Sequence, residues 1–189
     1  MEDRHLIVTY CRFNGDNKSN VSADDYSKVF PKHVMSRIKK TKETFARLSD
    51  SHADDEFMKV LLFGQQAVVG LQKFAVSLGL PEERIELDGN CKDIAEMVKK
   101  VWNRIKTNTN PPRVYFVLSN WQWIFIEPLL SLKDDRFKFY FEGALDDRTI
   151  DEIELDKKLE KVAKIDLKES RLGSILDKVG GSISSNLKG

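Results

Sequence analysis

Residues 57–87 read FMKVLLFGQQAVVGLQKFAVSLGLPEERIEL, and the hydrophobic period changes twice inside that stretch. Residues 57–63 form a nearly continuous apolar run closed by Gly64, the pattern of a strand buried on both faces. Val68, Leu71, Phe74, Ala75 and Leu78 then recur at spacings of three and four, which is one face of a helix. Gly79 is a natural helix stop, and Pro81 cannot continue the helix. Residues 84–87, Arg84-Ile85-Glu86-Leu87, start a second, shorter strand. A strand, a helix and a strand in about thirty residues make a βαβ unit, so the two strands are expected to be parallel.

The pattern extends in both directions. Leu6-Ile7-Val8-Thr9-Tyr10-Cys11 is a first strand, followed by a polar loop over 14–25. Val34, Ile38, Thr41, Phe45 and Leu48 share one face of the helix that links it to the second strand. On the other side, Asn90 is expected to cap a helix, with Asp93 three residues on as in a capping box. That helix carries Ile94, Met97, Val98, Val101 and Ile105 inward. Pro111-Pro112 breaks the chain before a fourth strand over 113–118. Ser119 or Asn120 is expected to cap a helix reaching about Leu132, and an aromatic fifth strand is expected over 137–141. Two charged amphipathic helices, 148–165 and 168–179, and a frayed tail from Gly180 complete the reading.

The expected fold is therefore α/β: a Rossmann-like three-layer sandwich on a mainly parallel five-stranded sheet, plus C-terminal helices. Residues 1–145 form the core, 146–180 a helical extension packed on the same domain, and 181–189 a flexible tail. Strands one, two and four read as uninterrupted apolar runs and are expected at the centre of the sheet.

Composition limits the function. The chain has 189 residues, 41% hydrophobic and 32% charged, as in an ordinary globular domain. Thirty-one basic and 30 acidic side chains give a net charge of +1, which argues against a nucleic-acid or membrane-surface footprint. Cys11 and Cys91 make neither a disulfide framework nor a zinc knuckle. No apolar run approaches the roughly 20 residues that span a bilayer. Met1-Glu2-Asp3-Arg4 does not open a signal peptide, so a cytoplasmic protein is expected. Neither G-x-G-x-x-G nor G-x-x-x-x-G-K-[ST] occurs.

In an open parallel sheet, ligands bind outside the carboxyl ends of the strands. This nominates Cys11, Arg12, Asn14 and Asp16 after strand one, and Gly64, Gln65 and Gln66 after strand two. After strand three come Asp88, Gly89, Asn90, Cys91 and Asp93, and after strand four Ser119, Asn120, Trp121 and Gln122. Arg12 is the obvious cation of this rim, and the others offer side-chain or backbone donors to an anion. Asn90 and Ser119 read equally well as plain helix caps. None of His5, His33 and His52 falls at a strand carboxyl end, so no metal ligand set is nominated and the crevice is expected to lack an imidazole. Cys91, placed near a helix start, reads either as a lowered-pKa thiol or as a small half-buried residue. Trp121 and Trp123 are rim aromatics or core packing, and Trp102 is a packing residue. Lys32, Arg37, Lys39, Lys40, Lys42 and Arg47 form a basic stripe over 32–47, a solvated face or a contact for an acidic partner.

The order of elements over residues 6–130 resembles the SanA/YdcF-like domains, a Rossmann-like family. The resemblance is carried by Arg37-Ile38-Lys39-Lys40, Phe63-Gly64-Gln65, the thread Gly79-Leu80-Pro81 to Leu87, Asn90-Cys91-Lys92-Asp93-Ile94, and Leu118-Ser119-Asn120-Trp121-Gln122. It implies a crevice for a nucleotide-like or phosphate-bearing ligand, lined by Gly64, Gln65, Asn90, Cys91, Asp93, Ser119, Asn120 and Gln122, to which the strand-end rule adds Arg12. Gln65 stands where the family has Gly, Cys91 where it has Thr, Gln122 where it has His and Phe125 where it has Arg. The other reading is a non-catalytic descendant that contacts a protein partner through the basic helix or the C-terminal helices.

Overall fold

Strands β1 (His5–Cys11), β2 (Met58–Gly64), β3 (Ile85–Asp88), β4 (Arg113–Ser119) and β5 (Phe139–Ala144) form one sheet in the order β3-β2-β1-β4-β5. Every neighbouring pair is parallel. The computed structural model describes residues 4–12, 26–51, 58–64, 68–130 and 134–158. The chain divides into two units, Met1–Asp147 and Arg148–Gly189, and the sheet belongs to the first.

The strand sequences explain the layering. Side chains alternate across a strand, so a β-branched and aromatic run serves both faces at once. Ile7, Cys11, Val60, Leu62, Tyr115 and Val117 face one helical layer, with Val34, Ile38 and Leu48 of α2 (Lys32–Ser51) and Leu71, Phe74 and Ala75 of α3 (Val68–Ser77). A short α1 (Tyr26–Val29) precedes α2 and sets Tyr26 against Phe74, ring centroids 5.3 Å apart. Leu6, Val8, Tyr10, Leu61, Phe63, Val114, Phe116 and Leu118 face the opposite layer. That layer holds Ile94, Met97, Val101 and Ile105 of α4 (Ile94–Ile105), together with Phe125, Ile126 and Leu129. Burying each such side chain contributes about 1.5–3 kcal/mol, so the three central strands carry most of the core. Strands β1, β2 and β4 are central, in agreement with their apolar runs.

The strand order fixes where a ligand can enter. From β1 the chain steps outward to β2 and β3, then returns to lay β4 on the other side of β1. The connections therefore diverge between β1 and β4, and their carboxyl ends flank the crevice.

Several boundaries differ from the sequence reading. Gly79 has φ +94°, a left-handed value that glycine adopts without strain, so it ends α3 as expected. The helix cap before α4 is Asp93, not Asn90: the Asp93 carboxylate accepts from the Glu96 N–H at 2.7 Å. Gly89 and Asn90 form a turn instead, and the helix waits because Cys91 is drawn into the core and donates its N–H to the Gly64 carbonyl at 3.2 Å. After β4, Asn120–Phe125 forms a 3-10 helix, and a short α5 (Glu127–Leu130) follows in place of one continuous helix. Pro128 has no N–H to donate back across that junction. Strand β5 starts two residues late and runs to Ala144, because its pairing with β4 begins at Val114–Phe139 and continues to Ser119–Ala144. Phe137 turns into the core beside Trp102 instead, 5.0 Å between centroids.

In the second unit, residues 150–158 are helical, with Thr149 and Glu152 capping each other at the start. Residues 159–165 of the first expected helix, the expected helix 168–179 and the tail from Gly180 lie outside the described residues. Among the described residues, no helix is long and apolar enough to cross a membrane.

Candidate functional site

The switch point between the carboxyl ends of β1 and β4 holds a buried arginine. Arg37 lies on α2 in the phase of Val34, Ile38 and Thr41, so the helix turns it toward the sheet. It is 2% exposed. Its Nη1 donates to the Tyr10 carbonyl at 2.8 Å, while Nη2 and Nε donate to Ser119 Oγ at 2.8 and 3.1 Å. Nη2 also faces Asp146 Oδ2 at 3.7 Å. One guanidinium thus joins the end of β1, the end of β4 and the chain leaving β5. The fork geometry of arginine suits such divided contacts, which a lysine cannot make at once. Below it, Thr41 Oγ1 donates to the Arg37 carbonyl at 2.8 Å and lies 2.6 Å from Thr9 Oγ1, pinning α2 to β1.

Asp146 is a second nodal residue. Its Oδ2 accepts from Trp121 Nε1 at 3.0 Å. His33, in the first turn of α2, and Asp147 complete a group in which one ligand atom from each of His33, Asp146 and Asp147 lies within 4.8 Å of the others. The expectation that no histidine reaches the crevice is therefore corrected. A crossover helix starts at the carboxyl end of the sheet, so its first turns belong to the rim.

The nominated residues fall into two groups. Ser119, Asn120 and Gln122 sit at the end of β4, and Arg12 directly follows β1, half-buried. Gln122 is 2% exposed and its Oε1 accepts from the Ser119 N–H at 3.0 Å, so it shapes the turn. Asn120 is exposed, and its Oδ1 lies 2.3 Å from where a Cβ on Gly143 would stand, so any larger residue there makes the amide turn aside. Gly64, Asn90, Cys91 and Asp93 form the other group, at the ends of β2 and β3. Strands β3 and β4 are three spacings apart, about 14 Å, which no single phosphate bridges. Tyr10 links the groups: its carbonyl accepts from Arg37, and its hydroxyl donates to the Lys92 carbonyl at 3.2 Å. Gln65, Gln66, Asn14 and Asp16 lie outside the described residues.

Cys91 precedes the cap and is fully buried, so it does not sit at the helix start. Burial pushes its thiol up to about 12, the reverse of activation. Cys11 behaves alike: burial raises it to about 12 against the lowering pull of Arg37. The two thiols pack into opposite helical layers. A Cβ on Gly64 would lie 3.0 Å from the Cys11 carbonyl oxygen, so this glycine allows the strand ends to approach.

The rest of the basic stripe is partly spoken for. Arg37 points inward, and Lys40 and Arg47 both pair with Glu142 of β5. Trp121 is half-buried and Trp123 is 40% exposed. Sequence reasoning missed the site roles of Arg37, His33, Asp146 and Asp147. The available signals were an arginine in phase with an apolar stripe and a pair of acids just after a strand. No protein-family model, curated protein or solved structure matches the chain.

Proposed function

We propose that the domain binds a small anionic, nucleotide-like ligand in the crevice between the carboxyl ends of β1 and β4. The observation that carries this reading is the buried guanidinium of Arg37, joined to both strand ends at the switch in strand order. Asp146 at 3.7 Å offsets part of that charge, so the guanidinium acts by fixing the two strand ends, and Arg12 supplies the positive charge of the rim. Arg12 on the rim and the exposed amide of Asn120 are the ligand's direct contacts in this reading, with Ser119 held in place beneath them. The exposed ring of Trp123 offers a face for stacking a base. Asn90 and Asp93, with the buried Gly64 and Cys91 behind them, would meet the far end of an extended ligand. Nothing in the set assigns a nucleophile, so the reading is binding rather than catalysis. Two separated, buried thiols suit the reducing cytoplasm.

The test is a thermal-shift screen of the full chain with nucleoside mono-, di- and triphosphates, sugar phosphates and inorganic phosphate. A ligand at a hundred times its Kd stabilises by about 2.7 kcal/mol, or roughly 5–10 °C for a chain of this size. Arg12→Ala and Asn120→Ala should each remove most of that shift. No shift with any compound at millimolar concentration would overturn the reading. It would favour instead a protein-interaction module, for which exposed Trp123 and Leu130, at 40% and 37%, form the apolar contact.

A further inference from the structure

We infer that His33, Asp146 and Asp147 form a site for one divalent transition cation at the carboxyl end of β5. One donor atom from each lies within 4.8 Å of the other two. Donors around an ion at about 2.1 Å stand roughly 3.0–3.4 Å apart, so the set closes with side-chain adjustments of up to about 1.4–1.8 Å.

The group is more than a patch of surface acids. It includes an imidazole, and His33 is only 8% exposed. The Asp146 side chain is 7% exposed. Two of the three ligands are thus already withdrawn from water. Asp146 is also oriented from behind, by the Trp121 Nε1 bond at 3.0 Å and by Arg37 Nη2 at 3.7 Å. Outer partners of this kind set the angle of a ligating carboxylate. Arg37 Nη2, 3.7 Å from Asp146 Oδ2, offsets one of the two carboxylates. With His33 neutral, Asp146, Asp147 and Arg37 sum to one net negative charge, which a cation offsets. Asp147 is exposed, so one side of the site stays open.

One imidazole nitrogen with two carboxylates suits borderline Zn2+, and Mn2+ among the harder ions, better than Mg2+ or Ca2+. The ligands come from the first turn of α2 and the segment leaving β5, so a bound ion would tie these two pieces together beside the crevice. The inference is independent of the anion-binding reading, because the ion can be tested alone.

The experiment is an electron paramagnetic resonance titration of chelator-stripped, full-length protein with Mn2+ and no other ligand, with Zn2+ as competitor. One equivalent of Mn2+ should bind and be displaced by Zn2+. Trp121→Phe, which removes only the Nε1 donor, should raise the Kd about tenfold, and His33→Gln and Asp147→Ala should raise it further. Asp147 is exposed, so Asp147→Ala folds normally and decides the matter if His33→Gln does not fold. Absence of bound Mn2+ and Zn2+, or wild-type affinity in Asp147→Ala, overturns the inference.

Discussion

Replacing Arg37 with methionine should destabilise the sheet unit by about 3–5 kcal/mol. Methionine keeps the apolar stem and most of the volume, so the packing of α2 on β1 changes little. What is lost is the fork. The Tyr10 carbonyl and Ser119 Oγ lose donors at 2.8 Å, and Asp146, 7% exposed, loses its facing cation. Hydrogen bonds to a charged group contribute about 1.5–3 kcal/mol each, and orphaning one member of a buried ion pair costs about 3–5 kcal/mol, though the two overlap. Against a total stability of about 5–15 kcal/mol that is a fifth or more. The melting temperature should fall by roughly 6–20 °C. Urea unfolding followed by tryptophan fluorescence reads the right unit, because Trp102, Trp121 and Trp123 all lie within residues 1–147. Arg37→Lys should recover only part of the loss, since an ammonium cannot reach Tyr10 and Ser119 together. In a double-mutant cycle with Asp146→Asn, the coupling should be about 1–3 kcal/mol. If Arg37→Met stays within about 1 kcal/mol of wild type, or the cycle is additive, Arg37 is not the keystone argued above.

Two further outcomes follow from the same geometry. Both thiols are pushed up to about 12 by burial, so an alkylating reagent at pH 8 should leave Cys11 and Cys91 unmodified until urea unfolds the chain. A raised folded pKa stabilises fully below the unfolded value near 9 and loses that stabilisation as pH climbs toward 12. At pH 10 wild type should therefore have lost about 1.4 kcal/mol per thiol relative to a Cys11→Ala/Cys91→Ala variant, by urea midpoint. Gly143→Ala places a Cβ 2.3 Å from Asn120 Oδ1, the end of an exposed side chain that must turn aside, and should cost about 0.5–1.5 kcal/mol in urea unfolding. The same change in an Asn120→Ala background should cost clearly less; equal costs would mean that Gly143 is not there to make room for Asn120.

How far the sequence could be read depended on whether the deciding interactions were local. Strands β1, β2 and β4 were legible because burial on both faces writes an unbroken apolar run, and α3 because its stripe ends at a glycine with φ +94°. Local rules failed where two residues could do the same job. Asn90 and Asp93 are both good caps, and the choice fell to Asp93 because Cys91 is pulled into the core against the Gly64 carbonyl. Likewise the limits of β5 are set by its partner β4 rather than by its own aromatic run.

The site was the least legible part, since its contacts join residues far apart in the chain. Arg37 meets Ser119 across 82 positions, and Trp121 meets Asp146 across 25. Along the chain, Arg37 is one cation in a helix that also carries Lys39, Lys40 and Lys42, and charge counting groups it with them. Helical phase separates it. Arg37 falls with Val34, Ile38 and Thr41 on the buried face, whereas Lys39 and Lys42 fall on the exposed one. A charge in phase with the core must be answered by partners, and on a crossover helix the first turns reach the carboxyl ends of the strands, where a ligand binds. The same reasoning covers Asp146: an acid just after the last strand of a parallel sheet lies at that end too. Buried phase and the strand-end rule, applied together, bring Arg37, Ser119 and Asp146 to one place, whereas either alone leaves Arg37 among the surface lysines or Asp146 among the surface acids.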